Sequence, residues 1–140
     1  NQALDDGDLQ ANSFQHKPYL DNQIKDRGYD LAVVGYNILT PMGIYSDKIK
    51  SLDELKDGAE IGIPNDPTNG GREAGLNPIK DSIAIEGNDS PYANVIVTRT
   101  QDKDAPWVKT LVEAYHDDAV REFIETKYQG SVIPVFKISE

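Results

Sequence analysis

Two apolar runs most limit what this chain can become. YDLAVVG (29–35) and the β-rich SPYANVIVTR (90–99) read as strands. Between and after them lie helical patterns, so strands and helices alternate and the class is α/β. Pro18 suits the first turn of a helix, where its missing N–H costs nothing. Tyr19, Leu20 and Ile24 then give a helical face, and Gly28 ends it. Two amphipathic helices follow the second strand, in APWVKTLVEAY and DAVREFIETKY. Trp107, Val108, Leu111, Val112 and Tyr115 are expected on the buried face of one. Val120, Phe123, Ile124 and Tyr128 are expected on that of the other.

Shorter elements are expected at PMGIYS (41–46), AEIGIP (59–64) and SVIPVF (131–136), all as strands. Pro134 places the last of these at an edge. SLDELKDG (51–58) carries a capping box, Ser51 with Glu54, and Gly58 stops that short helix. DDGD (5–8) is a turn, Leu9 to Phe14 a short strand or loop, and Leu4 suggests a helix already under way. No Met and no signal peptide opens the chain.

At 140 residues there is room for one ordinary domain or two small lobes. The net charge of −10 argues against a nucleic-acid partner, whose phosphates need clustered Lys and Arg. With no cysteine, disulfides, thiolate chemistry and Cys-based zinc sites are excluded within this chain. No apolar run approaches the ~18 residues of a membrane-spanning helix.

Three stretches can carry chemistry. In SFQHKPYLD (13–21), Phe14, His16 and Tyr19 bring three rings to a strand-to-helix corner, either as packing or as a pocket wall. A metal site is not expected, because the only other histidine, His116, lies in a charged helix with no ligand spacing between them. Ser13 beside His16 is not a triad, and no G-x-S-x-G elbow exists. In IGIPNDPTNGGR, Asp66 and Pro67 suit an N-cap and a first helical position. Gly70 and Gly71 allow close backbone approach, and Arg72 follows in the first turn. Free N–H groups and a guanidinium fork suit a carboxylate; a turn with a surface Arg is the plain alternative. In SPYAN (90–94), Asn94 enters a β run where Asn is disfavoured, either as a strand cap or as an amide aimed into a cleft. DDGDLQ lacks the alternating acids and closing Glu of an EF-hand.

Taken together, DGDLQANSFQHKPYLD, SLDELKDGAEIGIPNDPTNGGR and SPYANVIVTR resemble the NlpA/MetQ lipoproteins, and PMGIYSDKIKSLDEL and EAGLNP fit the same pattern. The resemblance covers almost the whole chain in order. It implies a two-lobed periplasmic binding protein fold, type II-like, with the ligand held between the lobes. It implies lobe 1 over 1–45 and 89–140, and lobe 2 over 46–88. Phe14, His16 and Tyr19 match the family's aromatic wall around a methionine side chain. Arg72 matches the residue that holds the ligand carboxylate, Asn94 matches an amide at the ligand's polar end, and Asn69 is a further candidate for that end. A methionine-containing dipeptide such as Gly-Met is the alternative ligand, and a surface lipoprotein with an adhesion role the alternative function. The implied role is binding without catalysis and without cofactor. The implied partners are an ABC permease and ATPase complex. The implied place is the bacterial cell envelope, in the periplasm or at the outer face of the cytoplasmic membrane, held by an N-terminal lipid anchor.

The departures from the family pattern are specific. Several dozen residues of the family fall between GGR and EAGLNP, whereas here Arg72 is followed directly by Glu73. The family's N-terminal strand, first helix, a pocket Tyr and the lipid-bearing Cys also have no counterpart. The expectation is that the chain joins residues from both sides of a missing stretch; the alternative is a shortened member. A lobe without its central strands would leave sheet edges open.

Overall fold

The computed structural model describes residues 1–62, 78–87 and 89–139. The stretch NDPTNGGR, with Asn69 and Arg72, therefore lies outside the described residues, as does the end of AEIGIP.

Its centre is a three-stranded sheet in the order β1-β6-β2. β1 is Ala11–His16, β2 is Leu31–Tyr36 and β6 is Asn94–Arg99. The middle strand, β6, runs antiparallel to both neighbours. β1 and β2 therefore run in the same direction, and helix α2 (Lys17–Arg27) connects them. Val95, Ile96, Val97 and Thr98 of β6 are all fully buried, which explains their unbroken apolar run: a strand covered on both faces does not alternate.

The two covers are distinct. Val95 and Val97 pack with Leu4, Leu20 and Leu31, against which Ile24 also lies. Leu4 comes from a short helix, α1 (Gln2–Asp5). On the opposite face Ile96 packs with Val34, Val108 and Val112, the latter two from α4 (Pro106–Tyr115). Helix α4 approaches closely at Gly35, where an added Cβ would lie 3.2 Å from a Val112 methyl group.

Helix α2 is bounded by local chemistry. Pro18 sits in its first turn, and Gly28 closes it in the left-handed region at φ +74°, its N–H donating to Ile24 O. Leu20 and Ile24, one turn apart, face the core. Tyr19 points elsewhere, to the rings described below.

Several expectations need correction. Helix α4 buries a narrower stripe than expected: Trp107 is 40% and Tyr115 37% exposed, because the sheet covers only the Val108–Val112 row. In α5 (Asp118–Tyr128) Ile124 is buried but Phe123 is exposed. Residues 59–62 form no strand and are exposed; alternation alone does not supply a pairing partner. The capping box is not made. Ser51 offers no side-chain bond to the single 3₁₀ turn Leu52–Glu54. The Glu54 carboxylate instead accepts from Lys50 N–H at 3.1 Å.

The remaining strands are two residues each. β3 (Ile38–Leu39) pairs with β7 (Ile133–Pro134), and Pro134 is an edge residue as its missing N–H requires. β4 (Gly43–Ile44) pairs with β5 (Ala84–Ile85), which follows the short helix α3 (Pro78–Asp81).

Candidate ligand-binding site

β1 ends at His16 and β6 begins at Asn94, and these two residues are register partners across the sheet. β2 ends beside them at Tyr36. The chemistry-bearing residues of two distant stretches thus meet at one end of one sheet.

Both outer strands bulge before they reach that end. Between Asn12 and Gln15, β1 spends an extra residue against β6, and between Val33 and Gly35 so does β2. Both irregularities lie level with Ile96. A bulge bends its strand and re-aims the next side chains. Here it leaves Phe14 54% exposed within a strand whose neighbour Gln15 is buried.

Four rings gather there. Phe14 meets Tyr19 edge-on with centroids 6.5 Å apart. His16 meets Tyr19 at 6.2 Å and Tyr92 at 5.1 Å, both edge-on. Such perpendicular pairs place electron-rich faces and positive edges side by side, a surface suited to a polarisable, uncharged group. Phe14, His16 and Tyr19 are thus brought together as the sequence suggested. Tyr92 was missed; its place two residues before Asn94 was the available signal.

His16 has a second task. Its Nδ1 accepts from Tyr19 N–H at 3.1 Å and so caps helix α2. One side chain therefore ends the strand, starts the helix and fixes Tyr19 next to it. The substitution His16→Phe keeps a ring and removes the acceptor; it should lower unfolding free energy by about 1 kcal/mol. His16→Asn keeps an acceptor and should stay near the parent value. Urea denaturation measures both, and equal stability of the two variants would remove the capping role.

Two buried amides brace this end of the sheet, and neither was picked out in the sequence. Asn37, 8% exposed, donates from Nδ2 to Ser13 Oγ at 2.5 Å and accepts at Oδ1 from Ile38 N–H at 2.6 Å. Its backbone N–H donates to Asn94 O at 3.0 Å. Gln15, 3% exposed, exchanges two hydrogen bonds with the Asn1 amide and donates a third to Asn12 Oδ1. Asn94 is the first residue of β6 and half-buried, a position consistent with either earlier reading.

His116 has a structural place. Its Nε2 lies 2.6 Å from Tyr36 O, and its ring stacks on Phe136, which also carries the Arg121 guanidinium. Among the described residues no group of three His, Cys, Asp or Glu side chains is placed to hold a metal ion. Among them too, no helix is long and apolar enough to cross a membrane. A shallow hollow of about 470 Å³ lies over Ala119, Glu122, Phe123, Thr126 and Lys127. All five belong to one helix, so it is a surface dent away from the ring cluster.

This fold is that of the periplasmic substrate-binding proteins. A nutrient-binding protein of Burkholderia cenocepacia, solved bound to methionine, superposes with a TM-score of 0.78 at 36% identity, over 95% of this chain and 82% of that one. A periplasmic substrate-binding protein of an ABC transporter from Coxiella burnetii matches with a TM-score of 0.78 at 32% identity, over 96% and 82%. The D-methionine-binding lipoprotein MetQ of Salmonella typhi is 38% identical over an alignment of 196 residues, covering 95% of this chain and 72% of that protein. The profile of the NlpA lipoprotein family matches in two pieces, residues 1–74 and 73–136. The chain belongs to the NlpA lipoprotein family.

Proposed function

We propose that this protein captures L-methionine, or a close thioether analogue, and delivers it to an ABC permease in the bacterial envelope. The observation that carries the reading is the ring cluster of Phe14, His16 and Tyr19 held beside Asn94 at one sheet end. A thioether is soft and unbranched, and it packs well against ring edges and faces. Asn94 and Asn69 would meet the polar end of the ligand, and Arg72 its carboxylate. In this reading lobe 1 is 1–45 with 89–140, lobe 2 is 46–88, and the ligand lies between them. The protein binds and releases without turnover, and a lipid anchor tethers it to the membrane. Two relatives support a methionine-type ligand: one was solved bound to methionine, the other is named for D-methionine.

The family match breaks at residues 73–74, and the alignment with the Salmonella protein runs over 196 residues where this chain has 140. Both support a junction between Arg72 and Glu73 across residues that the family possesses. The intact mass of the purified protein tests this first. A mass well above 15.5 kDa supports the missing stretch, and one of 15.5 kDa makes this a shortened member.

Calorimetry then tests the ligand. L-methionine and selenomethionine should bind nearly alike, because the two side chains match in length and softness. Glutamate and lysine should not bind, since burying an unpaired charge against rings is costly. Gly-Met binding more tightly than methionine would move the reading to a dipeptide. Absence of heat with both would leave an adhesion or interaction role. The stable His16→Asn protein should bind methionine more weakly, as it lacks one ring of the wall.

A further inference from the structure

We propose that Tyr92 is a fourth ring of the methionine wall, and that Glu86 and Ser90 hold it in place from the β4–β5 pair; this rests on the binding role above. Tyr92 lies outside the strand-to-helix corner that supplies the other three rings. It is half-exposed, yet its ring is set edge-on to His16 at 5.1 Å, closer than any other ring pair in the cluster. An exposed tyrosine before a strand has no local reason to hold that position.

The restraint comes from a short chain of hydrogen bonds. The Tyr92 backbone N–H donates to Ser90 Oγ at 3.1 Å. The same hydroxyl donates its proton to the Glu86 carboxylate. The other Glu86 oxygen accepts from Met42 N–H at 3.0 Å, and Glu86 N–H donates to Met42 O at 2.8 Å. Glu86 and Met42 directly extend the pairing of β4 with β5. A carboxylate with both oxygens occupied is a firm anchor, because its hydrogen bonds are charge-assisted. Tyr92 is thereby tied to a strand pair outside the central sheet, while its ring rests on the last residue of β1. The links from Glu86 to Ser90 and from Ser90 to Tyr92 set how far this ring stands from the other three, and so the width available to a side chain.

The test uses the full protein with L-methionine and with norleucine, which replaces sulfur by a methylene of similar length. Tyr92→Ala should weaken methionine binding on the order of tenfold. It should also shrink the preference for methionine over norleucine, because a sulfur–ring contact is lost. Tyr92→Phe should bind within about twofold of the parent, since the ring and not the hydroxyl makes the contact. Ser90→Ala should cost about threefold, and the double variant Ser90→Ala/Tyr92→Ala should be no weaker than Tyr92→Ala alone. Ligand-free melting of Tyr92→Ala should stay near the parent, because the ring is not core. Full methionine affinity in Tyr92→Ala overturns the fourth ring, and additive losses in the double variant overturn the anchor. A parent protein that binds no methionine removes the binding role and this inference together. A parent that binds while Tyr92→Ala is unaffected removes only the inference.

Discussion

Asn37→Ala should be the most damaging single change at the sheet end that carries the rings. Two side-chain bonds disappear, one to Ser13 Oγ and one from Ile38 N–H, and both partners are partly shielded from water. Leaving a sheltered polar group unpaired costs roughly 1–3 kcal/mol. Two such losses make about 2–6 kcal/mol. For a domain of this size melting should fall by about 4 °C per kcal/mol. Asn37→Asp is the control. Its carboxylate still accepts from Ile38 N–H, and the Ser13 hydroxyl can turn to donate, so most of the loss should be recovered. The backbone bond from Asn37 N–H to Asn94 O survives both changes. Ligand affinity should fall with Ala more than with Asp, because Ser13 stands in the bulge that presents Phe14. Thermal melts of the three proteins decide it. An alanine variant that melts within about 2 °C of the parent would mean the amide is not bracing the strands.

The second large effect is expected in affinity. Arg72→Lys conserves charge and loses the planar fork. If Arg72 acts only by long-range attraction within a chain of net charge −10, the change should be nearly silent. If it holds the ligand carboxylate by two parallel bonds, one bond is lost and the other displaced. A hydrogen bond to a charged group is worth roughly 1.5–3 kcal/mol, so affinity should fall on the order of ten- to a hundredfold. Melting of the ligand-free protein should not change. Methionine amide, which lacks the carboxylate, should bind the parent weakly and lose little more with Lys. Unchanged affinity for methionine would take Arg72 out of the site, and a collapsed melt would make its role structural.

Much of the scaffold was legible because it is written locally. Pro18 and Gly28 mark the ends of α2 by backbone constraints that no tertiary contact has to supply. The unbroken Val95–Ile96–Val97 run announces a strand covered on both faces. The rings of SFQHKPYLD were legible as a cluster, because a strand end followed by a helix start brings them together. What stayed hidden depends on partners far along the chain. Asn37 carries no mark in the sequence until Ser13, 24 positions away, is seen beside it. Tyr92 reads as one more residue of the SPYANVIVTR run until His16 is seen beside it. The β1 bulge has no sequence mark, since its residues differ little from those of a regular strand. The AEIGIP stretch failed for the converse reason: it has the alternation of a strand, and residues 59–62 are not in one. Ser51 and Glu54 have the right spacing for reciprocal caps, but Lys50 N–H captures the carboxylate.

The paired bulges at Ile96 also bear on how this protein can change over generations. Val97, Leu31 and Leu4 behind that level share one buried cluster with Val95 and Leu20 just past it, and a mutation in any of the five taxes every strand. Phe14 sits in the β1 bulge itself, His16 and Asn94 sit past it, where pairing has already been re-set by one residue, and Tyr92 precedes β6. A new ring or amide at those positions does not have to be compatible with the regular ladder behind it. If these positions hold the ligand as proposed, relatives that keep the fold should be free to diverge in their outward side chains, Phe14, Tyr92 and Asn94, more than in Val95 beneath them.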